Sequence, residues 1–428
     1  METKKTHEEE LYLPLPDELI HQILLRLPVK SLLRFKCVCK SWFSLISDPH
    51  FANSHFQITA PTHTRRILFI SESHPITRSI NVDASLHDDD SIISLSHNFY
   101  RLPLKYSSEK PIHAIKGSCR GIVVFRSSVG FYLWNPSTGI HKRIPLSPND
   151  NYENFFGFGY DQSTDDYLVI SMSQATYRHP LYLYFFSLRA DTWKQIETTH
   201  VDYRYYDPHE PQGDGVGLLF NGAIHWFGFR KDNDLEEPVI VVFDLTERKL
   251  SYIHFPHDFD PTGDDRGLWV FGEFLSIWYV DDYDIRKNNT VEIWVMKEYK
   301  LHSSWTKTIV LPIVGFPDEY FVPLCSTKSG DIVKTNDFRT GLDKYDDKGQ
   351  LLEYRSYCDR SDRDPYKKAL YVESLISFHD NKKMTKTRRM RWQQAANRPR
   401  LYLEDVDNYK WRGQKTKDPS RTTKSKIR

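Results

Sequence analysis

A chain of 428 residues, 39% apolar and 14% aromatic with a net charge of +1, has the make-up of a folded protein rather than a disordered one. Its cysteines, at positions 37, 39, 119, 325 and 358, follow no framework spacing and read as free thiols of a reducing compartment, cytosolic or nuclear. The opening "METKKTHEEE" lacks the apolar core of a secretory signal, and no apolar run reaches the roughly 18 residues that a bilayer requires, so no membrane partner is expected.

Residues 1–10 are polar and expected to be disordered. From residue 11 to 56 the pattern is helical. Leu19, Ile20, Ile23, Leu24 and Leu27 share one face at helical spacing, with Asp17 and Glu18 in the first turn, where the helix dipole favours them. Pro28 ends that helix because it lacks an N–H and disfavours helical geometry at Leu27. A second stripe follows with Val29, Leu32 and Leu33. A third carries Val38, Trp42, Leu45 and Ile46, up to a terminator at Ser47-Asp48-Pro49. A unit this small rarely folds alone. Cys37 and Cys39 have no second pair at zinc spacing, so no metal is expected and the apolar faces should meet a partner. Residues 57–64 read as a linker.

From 65 to 379 short strand patterns dominate. Five segments repeat an aromatic-rich strand, a polar turn and a second strand. Their strand-end aromatics, Trp134, Phe186, Phe243, Trp294 and Tyr345, lie 52, 57, 51 and 51 residues apart. Turn glycines at 121, 222, 272 and 330 lead into further short strands. A four-stranded unit repeated about every 50 residues is the pattern of a kelch-like β-propeller, because a single blade cannot bury its own faces. The length allows about six blades, the last closed by "RRILFIS" (65–71) with "ALYVESLISF" (369–378). An irregular pair of β-sandwiches is the alternative.

Motifs for chemistry are scarce. "GDGVG" (213–217) lacks the helix and spacing of a dinucleotide site and reads as a turn leading into a strand. "HDDDS" (87–91) and "DQSTDDY" (161–167) cluster carboxylates in turns without a calcium-loop pattern. His225 reads as a packed strand histidine rather than a ligand. No catalytic residue, metal or cofactor is expected. Residues 380–428 form a basic tail expected to be disordered. From Asn381 onward 16 Lys+Arg stand against 4 Asp+Glu, leaving 42 against 53 in the remainder. Within it, Lys382, Lys383, Lys386, Arg388 and Arg389 are candidates for nuclear import, weighed against a solvated tail; nucleic acid is not the expected partner.

The stretch "LPDELIHQILLRLPVKSLLRFKCVCKSWFSLISDPHFANSHF" resembles the F-box of plant F-box proteins. "GSCRGIVVF" (117–125), "LWNPSTG" (133–139), "FGFGYDQSTDDYLVI" (156–170), "NGAIHWFGF" (221–229) and "VVFDLTERK" (241–249) resemble the F-box-associated interaction domain of the same proteins. The resemblance implies a non-catalytic substrate receptor of an SCF-type ubiquitin ligase. Its F-box would dock on a Skp-type adaptor and, through it, on cullin and RING subunits, while the β domain recruits an unknown target protein. Carried over, the adaptor-facing residues are Leu15, Pro16, Ile20, Leu24, Pro28, Leu32, Leu33 and Val38, with Trp42, Leu45 and Ile46 serving either the adaptor or the helices themselves. Interface hot spots favour Tyr and Arg. Tyr203, Arg204, Tyr205 and Tyr206, in a loop at 201–210, are therefore candidates for target contact, against an ordinary inter-strand loop. The rival readings are a non-degradative interaction module and a nuclear or nucleic-acid-associated binder acting through the tail.

Overall fold

The computed structural model describes residues 15–378 apart from 71–76, 96–113, 128–129, 149–153, 174–180, 198–201, 205–214, 233–234, 260–265, 282–289, 313–322, 336–340 and 358–366. It begins with four helices: α1 (Asp17–Leu24), α2 (Val29–Phe35), α3 (Lys40–Ile46) and α4 (Pro49–Ile58). Pro16 and Pro28 stand immediately before α1 and α2. The Ser47-Asp48-Pro49 terminator also starts α4, a helix that the sequence reading missed. The Asp48 carboxylate accepts from the backbone N–H groups of His50 (2.8 Å) and Phe51 (3.2 Å), and Pro49 sits at the first helical position, where its missing N–H has no helical partner to lose.

Twenty-five strands follow among the described residues, arranged as six antiparallel sheets. Blade 1 is closed by the C-terminus: β25 (Lys367–Val372) pairs with β1 (Arg65–Ile70), which continues to β2 (Thr77–Asn81) and β3 (Ile92–Ser94). Blade 2 runs from β4 (Ala114–Cys119) through β5 (Ile122–Ser127) and β6 (Gly130–Trp134) to β7 (His141–Ile144). Blade 3 comprises β8 (Asn154–Asp161), β9 (Asp166–Ser173), β10 (Leu183–Ser187) and β11 (Thr192–Ile196). In blade 4 two short strands, β12 (Asp202–Arg204) and β13 (Leu218–Phe220), share the edge of β14 (Ala223–Asp232), followed by β15 (Leu235–Asp244) and β16 (Lys249–Ile253). Blade 5 is β17 (Arg266–Phe271), β18 (Phe274–Asp281), β19 (Thr290–Met296) and β20 (Trp305–Pro312). Blade 6 is β21 (Pro323–Ser326), β22 (Ile332–Thr335), β23 (Gly341–Tyr345) and β24 (Leu351–Ser356). The result is a six-bladed propeller, with the first strands of neighbouring blades side by side, β25 against β4 and β4 against β8. The sandwich alternative is set aside.

The repeat read in the sequence is the third strand of each blade. Trp134, Phe186, Phe243, Trp294 and Tyr345 end β6, β10, β15, β19 and β23. The first four are buried between neighbouring sheets: Trp134 with Leu68 and Tyr371 of blade 1, Phe186 with Leu133 of blade 2, Phe243 with Leu168 of blade 3, and Trp294 with Val242 of blade 4. This is the physical reason for the propeller: each sheet covers the apolar face that its neighbour exposes. Gly121 (φ 83°) and Gly330 (φ 95°) occupy left-handed positions in hairpins between first and second strands, which side chains with a Cβ rarely adopt.

An antiparallel meander has two ends. Hairpins joining strands 1–2 and 3–4 fall at one, and those at 120–121, 162–165 and 245–248 are short. The opposite end is where second strands finish and third strands begin. The helices lead into the start of β1, the second strand of its blade, and so attach at the short-turn end.

Candidate functional site

The inner faces of the helices close on each other. Leu24, Leu25, Val29, Leu32, Ile46, Phe51 and Ala52 form one buried cluster, with Ile20, Leu33, Trp42 and Leu45 packed around it. Phe35 and Trp42 place their rings 5.5 Å apart, and the buried His55 ring meets the Leu27 carbonyl through Nε2 at 2.8 Å. Burial holds the His55 pKa below its ordinary value, against the opposing effect of that hydrogen bond. Ile46 is therefore part of the helices' own core, and Trp42 and Leu45 pack on it while staying partly exposed.

Of the residues expected to face an adaptor, Leu15 (58% exposed) and Val38 (61%) stand open to solvent, as do Pro16 and Pro28, while Ile20 and Leu33 are half-buried. Leu24 and Leu32 are corrected: at 1% and 0% exposure they lie inside the cluster and support the surface from behind. The same α1 carries Leu19 (51%) and Ile23 (50%) outward, four residues apart on one face, and Phe43 of α3 is exposed as well. Exposed apolar side chains repeated at helical spacing in so small a unit make this face the candidate interaction surface. The sequence put Leu19, Ile23 and Leu24 on one broad stripe, and only the position of the packed neighbours splits it into an inner and an outer half.

The expected loop at 201–210 is partly a strand. Asp202–Arg204 form β12, with Tyr203 opposite Arg230 and Arg204 opposite Phe229, so this segment extends the edge of β14. That register lies near the end of β14, at the end opposite the short turns, away from the helices. Tyr205 and Tyr206 fall outside the described residues, as do Lys382, Lys383, Lys386, Arg388, Arg389 and the rest of the tail.

The carboxylate turns have structural roles. Asp161 is buried; it accepts from Ser163 Oγ (2.7 Å), Thr164 Oγ1 (2.6 Å) and the Arg248 guanidinium (2.9 Å) of blade 4. Burial alone would raise its pKa, but these hydrogen bonds outweigh that and hold it well below the carboxylate range. Asp88 accepts from the Asp90 N–H at 3.0 Å, and Asp89 pairs with Arg355 of blade 6. His225 is buried, with Nε2 2.8 Å from the Tyr299 hydroxyl, and burial lowers its pKa to about 4. It is the packed strand histidine that its position suggested. "GDGVG" yields Gly215 and Gly217, whose backbones bond Phe156 of blade 3 at 2.7 Å each, and there is no phosphate cradle in that contact. Among the described residues no group of three His, Cys, Asp or Glu side chains could hold a metal, and no helix is long and apolar enough to cross a membrane. Cys37 and Cys39 are exposed free thiols; Cys119 and Cys325 are buried, their pKa values pushed up to about 12 by burial.

A small helical unit with an outward apolar strip, mounted on a six-bladed propeller, defines a class of two-surface adaptor-and-receptor proteins. Residues 13–53 match the F-box domain and residues 67–377 match the F-box associated beta propeller domain. The chain belongs to the plant F-box proteins that carry this propeller. It is 28% identical over 389 residues to an F-box/kelch-repeat protein of Arabidopsis thaliana, covering 87% of this chain and 98% of that one. It is also 28% identical over 335 residues to the F-box protein CPR1 of Arabidopsis thaliana, covering 73% and 77%. The family supports a substrate-recognition role in SCF-type ubiquitin ligases in general, and its members are generally non-catalytic.

Proposed function

We propose that this chain is a substrate receptor that binds a Skp-type adaptor through its helices and presents a protein target held on the propeller. The observation that carries this reading is the exposure of Leu19 and Ile23 on one face of α1, together with that of Leu15, Val38 and Phe43, on a unit whose inner face is already filled. The propeller's two ends divide the labour. The short-turn end takes the helices, and the opposite end, where Tyr203 and Arg204 lie on β12, is proposed to read the target, with Tyr205 and Tyr206 as further candidates from the sequence. The cullin and RING subunits would be reached through the adaptor. The chain then contributes proximity, raising the effective concentration of a target lysine beside a charged conjugating enzyme. Nuclear import through Lys382, Lys383, Lys386, Arg388 and Arg389 remains part of the proposal. A pull-down with recombinant adaptor tests the first step: the wild-type chain is retained and the Leu19→Asp/Ile23→Asp variant is not. Retention of both, or of neither, would sink it.

A further inference from the structure

The chain that closes the propeller also runs on into the helical unit. β25 ends at Val372, and residues 373–378 continue along the short-turn end. The Glu373 N–H bonds the Thr64 carbonyl at 3.0 Å, tying this segment to the residue before β1. Leu375 is buried in the same cluster as Leu24, Leu25, Val29, Leu32 and Phe51. Its neighbour Ile376 is buried with Phe156, Phe158 and Val169, between blades 2 and 3. One residue thus completes the core of the helices, and the next belongs to the core of the ring.

Two of the sequence hallmarks hold this segment in place. Asn135 of "LWNPSTG" accepts from the Ser137 N–H (2.8 Å) through its side-chain oxygen. Its amide nitrogen donates to the Ser374 carbonyl (3.1 Å) and the Ile376 carbonyl (2.9 Å). In "GSCRG", a Cβ on Gly121 would fall 2.7 Å from the Val372 carbonyl oxygen, so only glycine admits the segment there. The preceding Arg120 reaches the other way. Its guanidinium lies 3.8 Å from the Tyr160 ring centroid of blade 3 and 5.0 Å from the Phe56 ring of α4, and it donates to the Asn53 side-chain oxygen at 3.0 Å.

We infer that adaptor-binding competence is coupled to closure of the propeller: Leu375 completes the F-box core behind the adaptor-facing helices, Asn135 holds its segment in place, and Arg120 ties α4 to blade 3 beside it. Leu375 and Arg120 are positioning residues, since both act through the helices. The inference rests on the adaptor reading of the F-box. It explains how so few residues fold into a firm docking surface: part of their core arrives from the far end of the domain.

The test uses the full chain with Leu375→Ala, Leu375→Met and Arg120→Ala. Amide hydrogen exchange is followed across α1 and α2 without adaptor, and affinity for recombinant Skp-type adaptor is measured in parallel. Loss of buried leucine carbons should speed exchange in α1 and α2 and weaken adaptor binding about tenfold or more in Leu375→Ala. Leu375→Met, which conserves volume, should restore both, and Arg120→Ala should give a smaller change in the same direction. The near-UV circular dichroism of the propeller tryptophans should stay as in wild type. Wild-type exchange and affinity in Leu375→Ala would overturn the inference. Loss of the propeller signal in that variant would overturn it too, because Leu375 would then serve the ring rather than the helices. If the wild-type chain binds no adaptor, the receptor reading falls, while the exchange comparison still decides what Leu375 does.

Discussion

Single residues in this chain connect parts that are remote in sequence, and two of them titrate in ways that stability should report. His225 has its folded pKa lowered to about 4 from 6.5, with burial as the leading cause. The unfolded chain therefore takes up a proton before the folded one does. The stability tied to neutral His225 is complete above pH 6.5 and drains away as pH falls from 6.5 toward about 4. In urea melts over that range, a His225→Gln variant should lose less of its remaining stability than wild type; an equal loss would contradict the assignment. Asp161 acts at lower pH. Its folded pKa is depressed below the ordinary 3.8, so its contribution is present above that value and disappears on further acidification. Removing its partner with Arg248→Ala leaves a buried carboxylate short of one charged donor, which should cost about 1–3 kcal/mol at neutral pH. The same substitution in an Asp161→Asn background should cost markedly less, measurable as a double-mutant cycle.

At the scale of elements, α1 has two faces with opposite duties. Leu24→Ala empties part of a filled cluster and should lower stability by about 2–5 kcal/mol. Ile23→Asp alters a side chain already half open to water and should leave the melting temperature nearly unchanged while abolishing adaptor binding. Thermal melts and adaptor titrations on the two variants separate the roles. Much of the element order was legible in sequence because its signals are local. Trp134, Phe186, Phe243 and Trp294 marked the third strands, since each blade must fill the same gap, and Gly121 and Gly330 marked hairpins that need a left-handed residue. Closure of the ring by both ends of the domain was legible as well, although the pairing covers only 65–70 with 367–372, and 373–378, expected in the strand, run on to the helices instead. What was not legible depended on distant packing. Nothing near Leu24 or Leu32 in sequence shows that Leu375 lies against their cluster, so both were assigned to the partner's side. The α4 start was missed for another reason: Asp48-Pro49 both ends one helix and caps the next. Tyr203 and Arg204 looked like loop because β12 is only three residues long and takes its order from the edge of β14.

The described residues form a propeller with helices at one end, and under the proposed function the other end reads the target. The closing strand fixes the ring, and the continuation of that strand fixes the helices to it, so the helices and the propeller form one unit over the described residues between 15 and 378. Adaptor binding by the proposed receptor depends on the outward face of the F-box helices. Titration calorimetry of the purified full chain with a recombinant Skp-type adaptor tests this most directly, comparing wild type with Leu19→Asp/Ile23→Asp. A one-to-one complex is expected for wild type and no detectable heat of binding for the variant, with both proteins melting at the same temperature. No binding by wild type, or equal binding by the two, would contradict it.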